Sequence, residues 1–329
     1  MSGLLAALWL LGLFAAAPAL RTGERYAFPD RLRDALVLGV AIPFALALVH
    51  ALYPVACWLA LALCLTVAYR RHGARPERES RGAPPYLLIA ALALVAWPQL
   101  MRPLLEGDSL SYHLPNAAAW VQSHSLWTTA TRYWWYPPAS ELFASGVYAV
   151  SGAFGLPWCG LVALALLGFR VFAWSRERFG APPLLADALA AATITAYPLA
   201  IQAGTLQNDV WLAAFWLESL WAIGRDDGAA MRAIAVTALT KPQGWIFAAI
   251  ALIVTRAKPK IWLAAAAAVT LWALHDALLW RYAILPPAGT AYGSTFASSI
   301  LAHGGTGLAL FARVAATTSP FALLAIGAA

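Results

Sequence analysis

Apolar residues fall along the chain in twelve segments, and short polar linkers separate each segment from the next. A helix needs about 20 mainly apolar residues to cross the hydrocarbon core of a bilayer. The pattern therefore predicts an all-α polytopic membrane protein with about 10–12 helices that span or partly span the bilayer. The segments cover roughly 3–20, 35–52, 54–69, 86–101, 141–152, 156–174, 183–199, 210–224, 229–240, 244–255, 261–280 and 319–329.

Two neighbouring segments, 229–240 and 244–255, are short for this role. Each would be about 18 Å long as a helix, whereas the hydrocarbon core is about 30 Å thick. We expect a hairpin over 229–255 whose tip, Lys241-Pro242-Gln243-Gly244, faces a polar cavity, because irregular backbone at membrane depth needs such surroundings. The alternative is one longer helix that Pro242 kinks.

Composition agrees with the membrane interpretation. Hydrophobic residues make up 62% of the 329 positions and charged residues 11%, and the mean hydropathy is +0.68. Soluble domains carry about 25% charged residues, and disordered chains combine high charge with few apolar residues. Both of these classes are therefore excluded.

The net charge of +7 is concentrated in particular linkers. Positive residues collect on the cytoplasmic side of membrane proteins, so the basic linkers are predicted to face the cytoplasm. The polar loops 102–140 and 281–318 then lie on the outer side of a single membrane domain, 1–329. No basic stripe interleaved with aromatic residues indicates a nucleic-acid partner. The basic linkers are 21–34, 70–85, 170–182, 225–232 and 256–260, and they hold 17 of the 22 Lys and Arg residues.

Several kinds of site have no support in the sequence. Cys57, Cys64 and Cys159 lie in apolar segments, which favours buried free thiols over a disulfide or a metal site. Walker, dinucleotide-binding, HExxH and Ser-His-Asp signatures are missing. We expect the first segment to be a membrane helix rather than a cleaved signal peptide, since Arg21 and Arg25 follow it and no basic residue precedes it.

The first outer loop begins with a polar run that includes Asp108, Tyr112 and His113. Asp108 is a candidate general base for a hydroxyl nucleophile, and Tyr112 and His113 are candidates to bind an anionic oxygen. Pro115 suits a first helical turn, and a helix is predicted over 115–127. The alternative is an aspartate that caps this helix beside a solvated histidine.

The same loop ends in an aromatic run, Tyr133-Trp134-Trp135-Tyr136, followed by two prolines and Glu141. Such a run is typical of an interfacial belt, which is the favoured interpretation, although Tyr136 could also stack on a sugar. Glu141 opens the next apolar segment and suits its first turn as an acid, and it is also a candidate to bind the substrate.

Three further positions carry candidate chemistry. Asn208 and Asp209 open a helix on the same outer side, where Asp209 either interacts with the helix dipole or contacts a ligand. Lys241 is the one lysine outside the cytoplasmic linkers. A lysine at membrane depth is costly and is usually paired or functional, so we expect it to bind a phosphate, with Gln243 beside it.

Two charged features inside apolar segments have less definite roles. His275-Asp276 is a candidate functional pair, although its position near the outer interface weakens that interpretation. Glu218 is expected to pair with a neighbour such as Arg232 or to form a hydrogen bond across the bundle.

Taken in order, these motifs resemble the GT-C glycosyltransferases. The resemblance rests on Asp108-x-x-x-Tyr112-His113-Leu114-Pro115, Trp120, Tyr136-Pro137-Pro138 with Glu141, Asn208-Asp209, and Leu239-Thr240-Lys241-Pro242-Gln243-Gly244. The motifs lie between residues 108 and 244, less than half of the chain, and each is short. The sequence departs from many family members because three additional apolar segments precede the acid.

The resemblance implies an inverting transfer of a sugar from a polyprenyl-phosphate donor to a hydroxyl of a lipid or glycan acceptor. It further implies a bacterial cytoplasmic (inner) membrane protein with its active site on the periplasmic side. Asp108 would be the general base, and Lys241, with help from His113, would hold the donor phosphate. Tyr136, Asn208, Asp209 and Gln243 would orient the sugar or the acceptor. No cofactor is required, but a divalent metal on Asp108 and Asp209 is possible.

Two other functions remain open at this point. A transporter or flippase for a lipid-linked or small polar substrate would use the same polar groups to line a path, with charges through the full membrane depth. A non-catalytic membrane scaffold would leave Lys241 and the short hairpin unexplained.

Overall fold

The computed structural model describes residues 2–21, 26–72, 84–101, 104, 106–131 and 133–280. All regular structure in these residues is helical. The helices are α1 Ser2–Ala16, α2 Phe28–Leu48, α3 Pro54–His72, α4 Tyr86–Leu100, α5 Leu114–Ser123, α6 Ala139–Ser151, α7 Pro157–Arg178, α8 Pro183–Thr195, α9 Tyr197–Ala200, α10 Asp209–Ala222, α11 Asp227–Thr240, α12 Gly244–Val254 and α13 Pro259–Trp280. The predicted loop 281–318 and segment 319–329 lie outside the described residues.

Four helical stretches are long and apolar enough to cross a membrane: Ser2–Leu20, Pro54–Arg71, Ala153–Arg178 and Pro259–Trp280. The helices α4, α8 and α12 are apolar but shorter. For the described residues, the prediction of all-helical structure is therefore confirmed, and several of the helices could span a membrane. The larger number of 10–12 spanning or partly spanning helices stays a prediction.

Large apolar side chains cover much of the outside of the bundle. Leu63 on α3, Leu94 on α4 and Ile253 on α12 are each more than half exposed, and so is Leu263 on α13. Soluble monomers rarely expose apolar patches of this extent. The exposed surface is consistent with a membrane protein whose outside contacts lipid.

The main core joins α1, α2, α6, α7 and α10. Trp9, Phe143 and Trp211 are almost completely buried in one continuous apolar cluster. The Phe143 ring lies directly against α2 at Gly39, where a β-carbon would come within 2.5 Å of two ring atoms. Glycine at this position therefore lets α6 and α2 approach closely.

A second, smaller apolar cluster joins α10 to α11, α12 and α13. Its members include Ala222, Ile234, Leu252 and Ile261. The two clusters meet along α10 and α11, so these two helices connect the main core to the rest of the bundle.

A buried ion network links four helices at one depth of the bundle. Arg170 on α7 donates two hydrogen bonds to Glu218 on α10, at 2.6 and 2.9 Å, and a third to Asp30 on α2 at 2.6 Å. Arg33 on α2 lies 3.6 Å from the same Glu218 carboxylate. Arg170, Glu218 and Arg33 are at most 3% exposed. Isolated charges are too costly to bury, so these side chains are buried as a set.

Asp34 extends this network to α11. Its carboxylate, which is completely buried, accepts hydrogen bonds from Arg33 at 3.0 Å and from Arg232 at 3.3 Å, and from the Tyr26 hydroxyl at 3.1 Å. The ion network consists of Asp30, Arg33, Asp34, Arg170, Glu218 and Arg232, so three carboxylates face three guanidinium groups.

The network decides between the two expectations for Glu218 and corrects one for α2. Glu218 accepts its hydrogen bonds across the bundle, from Arg170 on α7, which confirms that alternative. The other suggested partner, Arg232, pairs with Asp34 instead. Helix α2 begins at Phe28, seven residues before the predicted apolar segment, because the charged residues in its first turns are satisfied inside the protein. Apolar periodicity alone could not reveal this, since paired charges can occupy buried helical positions.

Helix α5 is shorter than predicted. It ends at Ser123, four residues before the expected end at Trp127. His124 has a φ of 55°, the left-handed conformation that commonly ends a helix. The Ser125 amide then donates back to the Trp120 carbonyl at 2.9 Å, which closes the helix end.

Helices α11 and α12 pack against each other as a hairpin, and the alternative of one kinked helix is wrong. Lys241 is fully extended, with φ −166° and ψ 167°, so the helix stops at Thr240 and a new one starts at Gly244. A β-carbon on Gly244 would collide with the carbonyl oxygen of Thr237 on α11. Only glycine allows this tight reversal.

We predict that Glu218→Ala destabilises the protein by about 3–5 kcal/mol, because Arg170 and Arg33 would be left buried without their shared carboxylate. Unfolding of the purified protein in detergent, followed by tryptophan fluorescence, measures the change. The matched control is Glu177→Ala, which removes a half-exposed surface pair with Arg225. The control should cost less than about 1 kcal/mol, and equal losses in the two variants would contradict a structural role for the network.

Candidate functional site

Asp108 lies at the start of a short helical stretch in the first outer loop. The stretch begins at Gly107, continues as a π-helical turn over Ser109–His113 and runs directly into α5. π-Helical turns are rare and occur often at functional sites, because they shift side chains out of the regular helical register. Asp108 is exposed, whereas Ser109 and His113 in the turn are buried.

Glu106 holds this turn in place, a role that the sequence alone did not reveal. Its carboxylate accepts hydrogen bonds from the backbone amides of Asp108 and Ser109 and from the Ser109 hydroxyl, each at 2.7 Å. It also accepts one from Gln207 at 2.8 Å, just before α10. The sequence contains one signal for this role. Glu106 precedes Asp108 by two residues and Ser109 by three, which is the usual spacing between a capping side chain and the first free amides of a helix.

The four donors also determine the charge of Glu106. Partial burial acts to raise the pKa of its carboxyl, but the hydrogen bonds from Ser109, Asp108 and Gln207 outweigh it and lower the pKa. Glu106 is therefore an ionised clamp between the turn and the segment before α10.

Tyr112 is the centre of an aromatic cluster. Its ring centroid lies 3.9 Å from that of His113, 4.9 Å from that of Tyr133 and 5.5 Å from that of Tyr136. Helix α5 anchors this cluster, since Asn116 donates to the Tyr133 carbonyl at 3.0 Å. The predicted aromatic run thus packs against the turn that carries Asp108.

The electrostatics of Tyr112 show which acids lie around it. Burial raises the pKa of its phenol, and the nearby Tyr136 and the carboxylates of Asp108, Glu141 and Asp209 raise it further. Burial and the same three carboxylates also raise the pKa of Tyr136. Both phenols therefore stay protonated and able to donate hydrogen bonds. Acids from three separate parts of the chain therefore act on the same two phenols.

His113 and Glu141 form a buried pair beneath this cluster. The imidazole Nδ1 lies 2.5 Å from Glu141 Oε1, and the Ser140 hydroxyl donates to Glu141 Oε2 at 2.9 Å. Both side chains of the pair are about 1% exposed. Glu141 is in the first turn of α6, as predicted. Its carboxylate is occupied by His113 and Ser140, so it holds the turn against α6 and is not a surface contact for a ligand.

The start of α10 meets the tip of the α11–α12 hairpin. The Lys241 ammonium pairs with the Asp209 carboxylate, and Gln202 donates a further hydrogen bond to Asp209 at 3.3 Å. Asn208 is buried and donates to the Thr240 carbonyl at 3.0 Å, so it fixes the end of α11. Its side chain therefore positions the hairpin tip, and a role in orienting sugar or acceptor stays a prediction. Gln243 is exposed beside Lys241.

His275 and Asp276 lie on α13, which also reaches the aromatic run, since Trp272 Nε1 donates to the Trp135 carbonyl at 3.2 Å. The two side chains are 3.2 Å apart on α13, and His275 Nε2 lies 3.2 Å from the Leu126 carbonyl. The Trp272 ring stacks on His275 at 4.3 Å. These contacts attach α13 to the loop after α5, which is a packing role rather than a second set of reactive groups.

The structure shows the state of the three cysteines and whether the described side chains form a metal site. Cys57, Cys64 and Cys159 are free, and the first and last are buried. Within the part of the chain that the structure describes, no group of three or more His, Cys, Asp or Glu side chains is arranged to hold a metal ion. A metal on Asp108 and Asp209 stays a prediction.

Comparisons of the chain with protein-family models, with curated proteins and with solved structures gave no match.

We predict that Glu106→Ala speeds amide hydrogen exchange in residues 107–113, because three hydrogen bonds to the turn and one to Gln207 are lost. Ser111→Ala is the control, since this exposed hydroxyl makes only a 3.3 Å contact with the Asp108 carbonyl. Unchanged exchange in the Glu106 variant would contradict the clamp.

The clamp also predicts a pH effect. The pKa of Glu106 is lower in the fold than in the unfolded chain, so its stabilisation is complete above the ordinary glutamate pKa of about 4.3. It disappears as the pH falls through the lowered value. Exchange in the wild-type turn, corrected for intrinsic rates, should rise over that acidic range, and the Glu106→Ala protein should lack this step.

Proposed function

We propose that the protein is an integral membrane glycosyltransferase that moves a sugar from a polyprenyl-phosphate donor to a hydroxyl of a lipid or glycan acceptor. One observation carries the proposal. The exposed Asp108 and Asp209, the ion-pair partner of Lys241, act electrostatically on the same two phenols of the aromatic cluster, although they come from distant parts of the sequence. An acid that can take a proton and a cation that can hold a phosphate are the two groups that such a transfer needs.

In the proposed reaction, Asp108 accepts the proton of the acceptor hydroxyl. The acceptor oxygen attacks the anomeric carbon, and the bond from that carbon to the phosphate oxygen breaks with its electron pair staying on the phosphate. A single displacement inverts the configuration at the carbon. Lys241 offsets the negative charge that develops on the leaving phosphate, and the protonated phenols of Tyr112 and Tyr136 can donate hydrogen bonds to the sugar or the phosphate.

The remaining residues act through the ones above. His113 and Glu141 hold the π-helical turn in place, and Asn208 holds the hairpin tip. The suggested help of His113 in phosphate binding is not part of the proposal, since its ring is buried and its Nδ1 faces Glu141. Gln243 stays a candidate to contact sugar or acceptor, because it is exposed next to Lys241.

The proposal places the chain in a bacterial cytoplasmic membrane, with a bilayer-borne donor and the site on the periplasmic side. The four helices long enough to cross a membrane support the membrane part. A transporter would require charges along an open path. The deeper charges of the ion network are instead paired with one another, which favours a structural role and weakens the transporter alternative.

We predict that Asp108→Asn lowers sugar transfer by about 10²- to 10⁴-fold, the range for loss of a general base. The assay incubates the purified protein in lipid nanodiscs with radiolabelled decaprenyl-phosphate hexoses and pentoses and a lipid and glycan extract as acceptor. The matched control is Asp227→Asn, at the far end of α11, where the aspartate pairs with two surface lysines. Equal turnover in wild type and Asp108→Asn would overturn the assignment.

The orientation can be tested separately. In a protein with its three cysteines replaced by alanine, a cysteine at exposed Ser111 should react with a membrane-impermeant maleimide in intact spheroplasts. A cysteine at exposed Glu177, in a basic linker, should react only after permeabilisation. The reverse pattern would place Asp108 on the cytoplasmic side and contradict the proposal.

A further inference from the structure

We propose that Asp209 is an exchangeable counter-ion of Lys241, which a lipid-borne phosphodiester displaces when it binds. Asp209 then competes with the ligand, so it weakens phosphodiester binding and sets its affinity. This inference rests on the proposed function, because the phosphodiester is that of the glycosyl donor. It differs from the expectation that Asp209 orients the sugar or the acceptor.

The first argument is the unequal exposure of the two partners. The Lys241 side chain is 17% exposed, whereas that of Asp209 is 51% exposed. Moving a half-exposed carboxylate into water costs little, because water replaces the lost contact. Lys241 is mostly buried, and moving its ammonium out of its site would leave the surrounding protein groups without a partner, which costs far more. Asp209 is therefore the member of the pair that can leave.

The second argument is that the lysine is held in place by the surrounding backbone. Lys241 follows Thr240, whose carbonyl accepts the hydrogen bond of the buried Asn208 side chain. On its other side, Gly244 packs tightly against Thr237. The ammonium therefore stays at the tip while its counter-ion changes.

The third argument concerns Asp209 after displacement. Its carboxylate keeps a hydrogen-bonding neighbour, since Gln202 donates to it from the segment before α10. It also stays in the first turn of α10, where the helix dipole favours a negative charge. These two interactions stabilise the displaced state of Asp209.

The fourth argument is electrostatic. Asp209 and Asp108 both lie near Tyr112. A phosphodiester on Lys241 would bring a third negative charge to this region, and like charges repel one another. If Asp209 moves into solvent, this repulsion is reduced by screening.

The test measures binding of methyl farnesyl phosphate, a sugar-free phosphodiester, to the full chain in dodecyl maltoside by calorimetry. Asp209→Asn should bind it about two- to fivefold more tightly than wild type, the range for a partly exposed competing ion pair. Lys241→Ala should bind it about tenfold more weakly, because a charge-assisted contact is lost. In the Lys241→Ala background, the added Asp209→Asn change should have little effect.

Two controls separate exchange from general electrostatics. Asp108→Asn also removes a negative charge near Tyr112 but not one paired with Lys241, so it should tighten binding less than Asp209→Asn. Asp209→Ser keeps a side chain that suits a helix start, and it should tighten binding as Asp209→Asn does. Weaker or unchanged binding in both Asp209 variants would overturn the exchange.

Failure of this inference and failure of the proposed function give different results. If wild type binds the phosphodiester no better than farnesol, both the proposed donor site and the proposed counter-ion exchange are wrong. If binding depends on Lys241 but neither Asp209 variant tightens it, only the counter-ion exchange is wrong and the donor site remains. If phosphatidylglycerol competes as well as the farnesyl diester, the site binds any lipid phosphodiester and its assignment to a prenyl donor is overturned.

Discussion

The bidentate contact between Arg170 and Glu218 is the interaction on which the arrangement of the bundle depends. Apolar packing between helices is not directional, and in a lipid environment it provides little preference for one rotation of a helix over another. A buried guanidinium and carboxylate must meet in one geometry, or both remain without a partner. Together with Asp30, Arg33 and Asp34, this contact fixes the rotation and depth of α2, α7 and α10.

The same constraint reaches the candidate site through α10 and α11. Glu218 lies nine residues after Asp209 on α10, about 14 Å along the helix. Arg232 lies eight residues before the end of α11 at Thr240, about 12 Å along that helix, and Lys241 follows directly. The ion network fixes Glu218 on α10 and Arg232 on α11. With these positions fixed, the other ends of the two helices lie side by side, and Asp209 meets Lys241 there. The network thus positions the two groups without touching either of them.

Much of this architecture could be predicted from the sequence. The apolar segments give the helices, and the proline and glycine after Lys241 give the break between α11 and α12. The prediction that Asp108, Asp209 and Lys241 share one side of the bundle also followed from the chain direction of successive helices. These features depend on local periodicity and on the alternation of linkers, which a single sequence contains.

The partners of the charged side chains could not be predicted. Glu218 is 48 residues from Arg170, and Arg232 is 198 residues from Asp34. Sequence spacing says nothing about pairs so far apart, and a charged first turn in α2 had the pattern of a solvated linker. Similarly, the burial of Glu141 depends on His113, 28 residues before it, so its carboxylate looked available when it is not.

The shortness of the hairpin has a consequence for the surrounding lipid. Helices α11 and α12 have 14 and 11 residues, or about 21 and 17 Å, against a hydrocarbon core of about 30 Å. Exposed Ile246, Ile250 and Ile253 on α12 would contact acyl chains. A bilayer adapts to such a mismatch by thinning locally. Lipid phosphates on the side of the hairpin tip would then lie deeper beside α12 than elsewhere and closer to the level of Lys241. In the proposed function, this deformation would bring the donor phosphate towards the lysine.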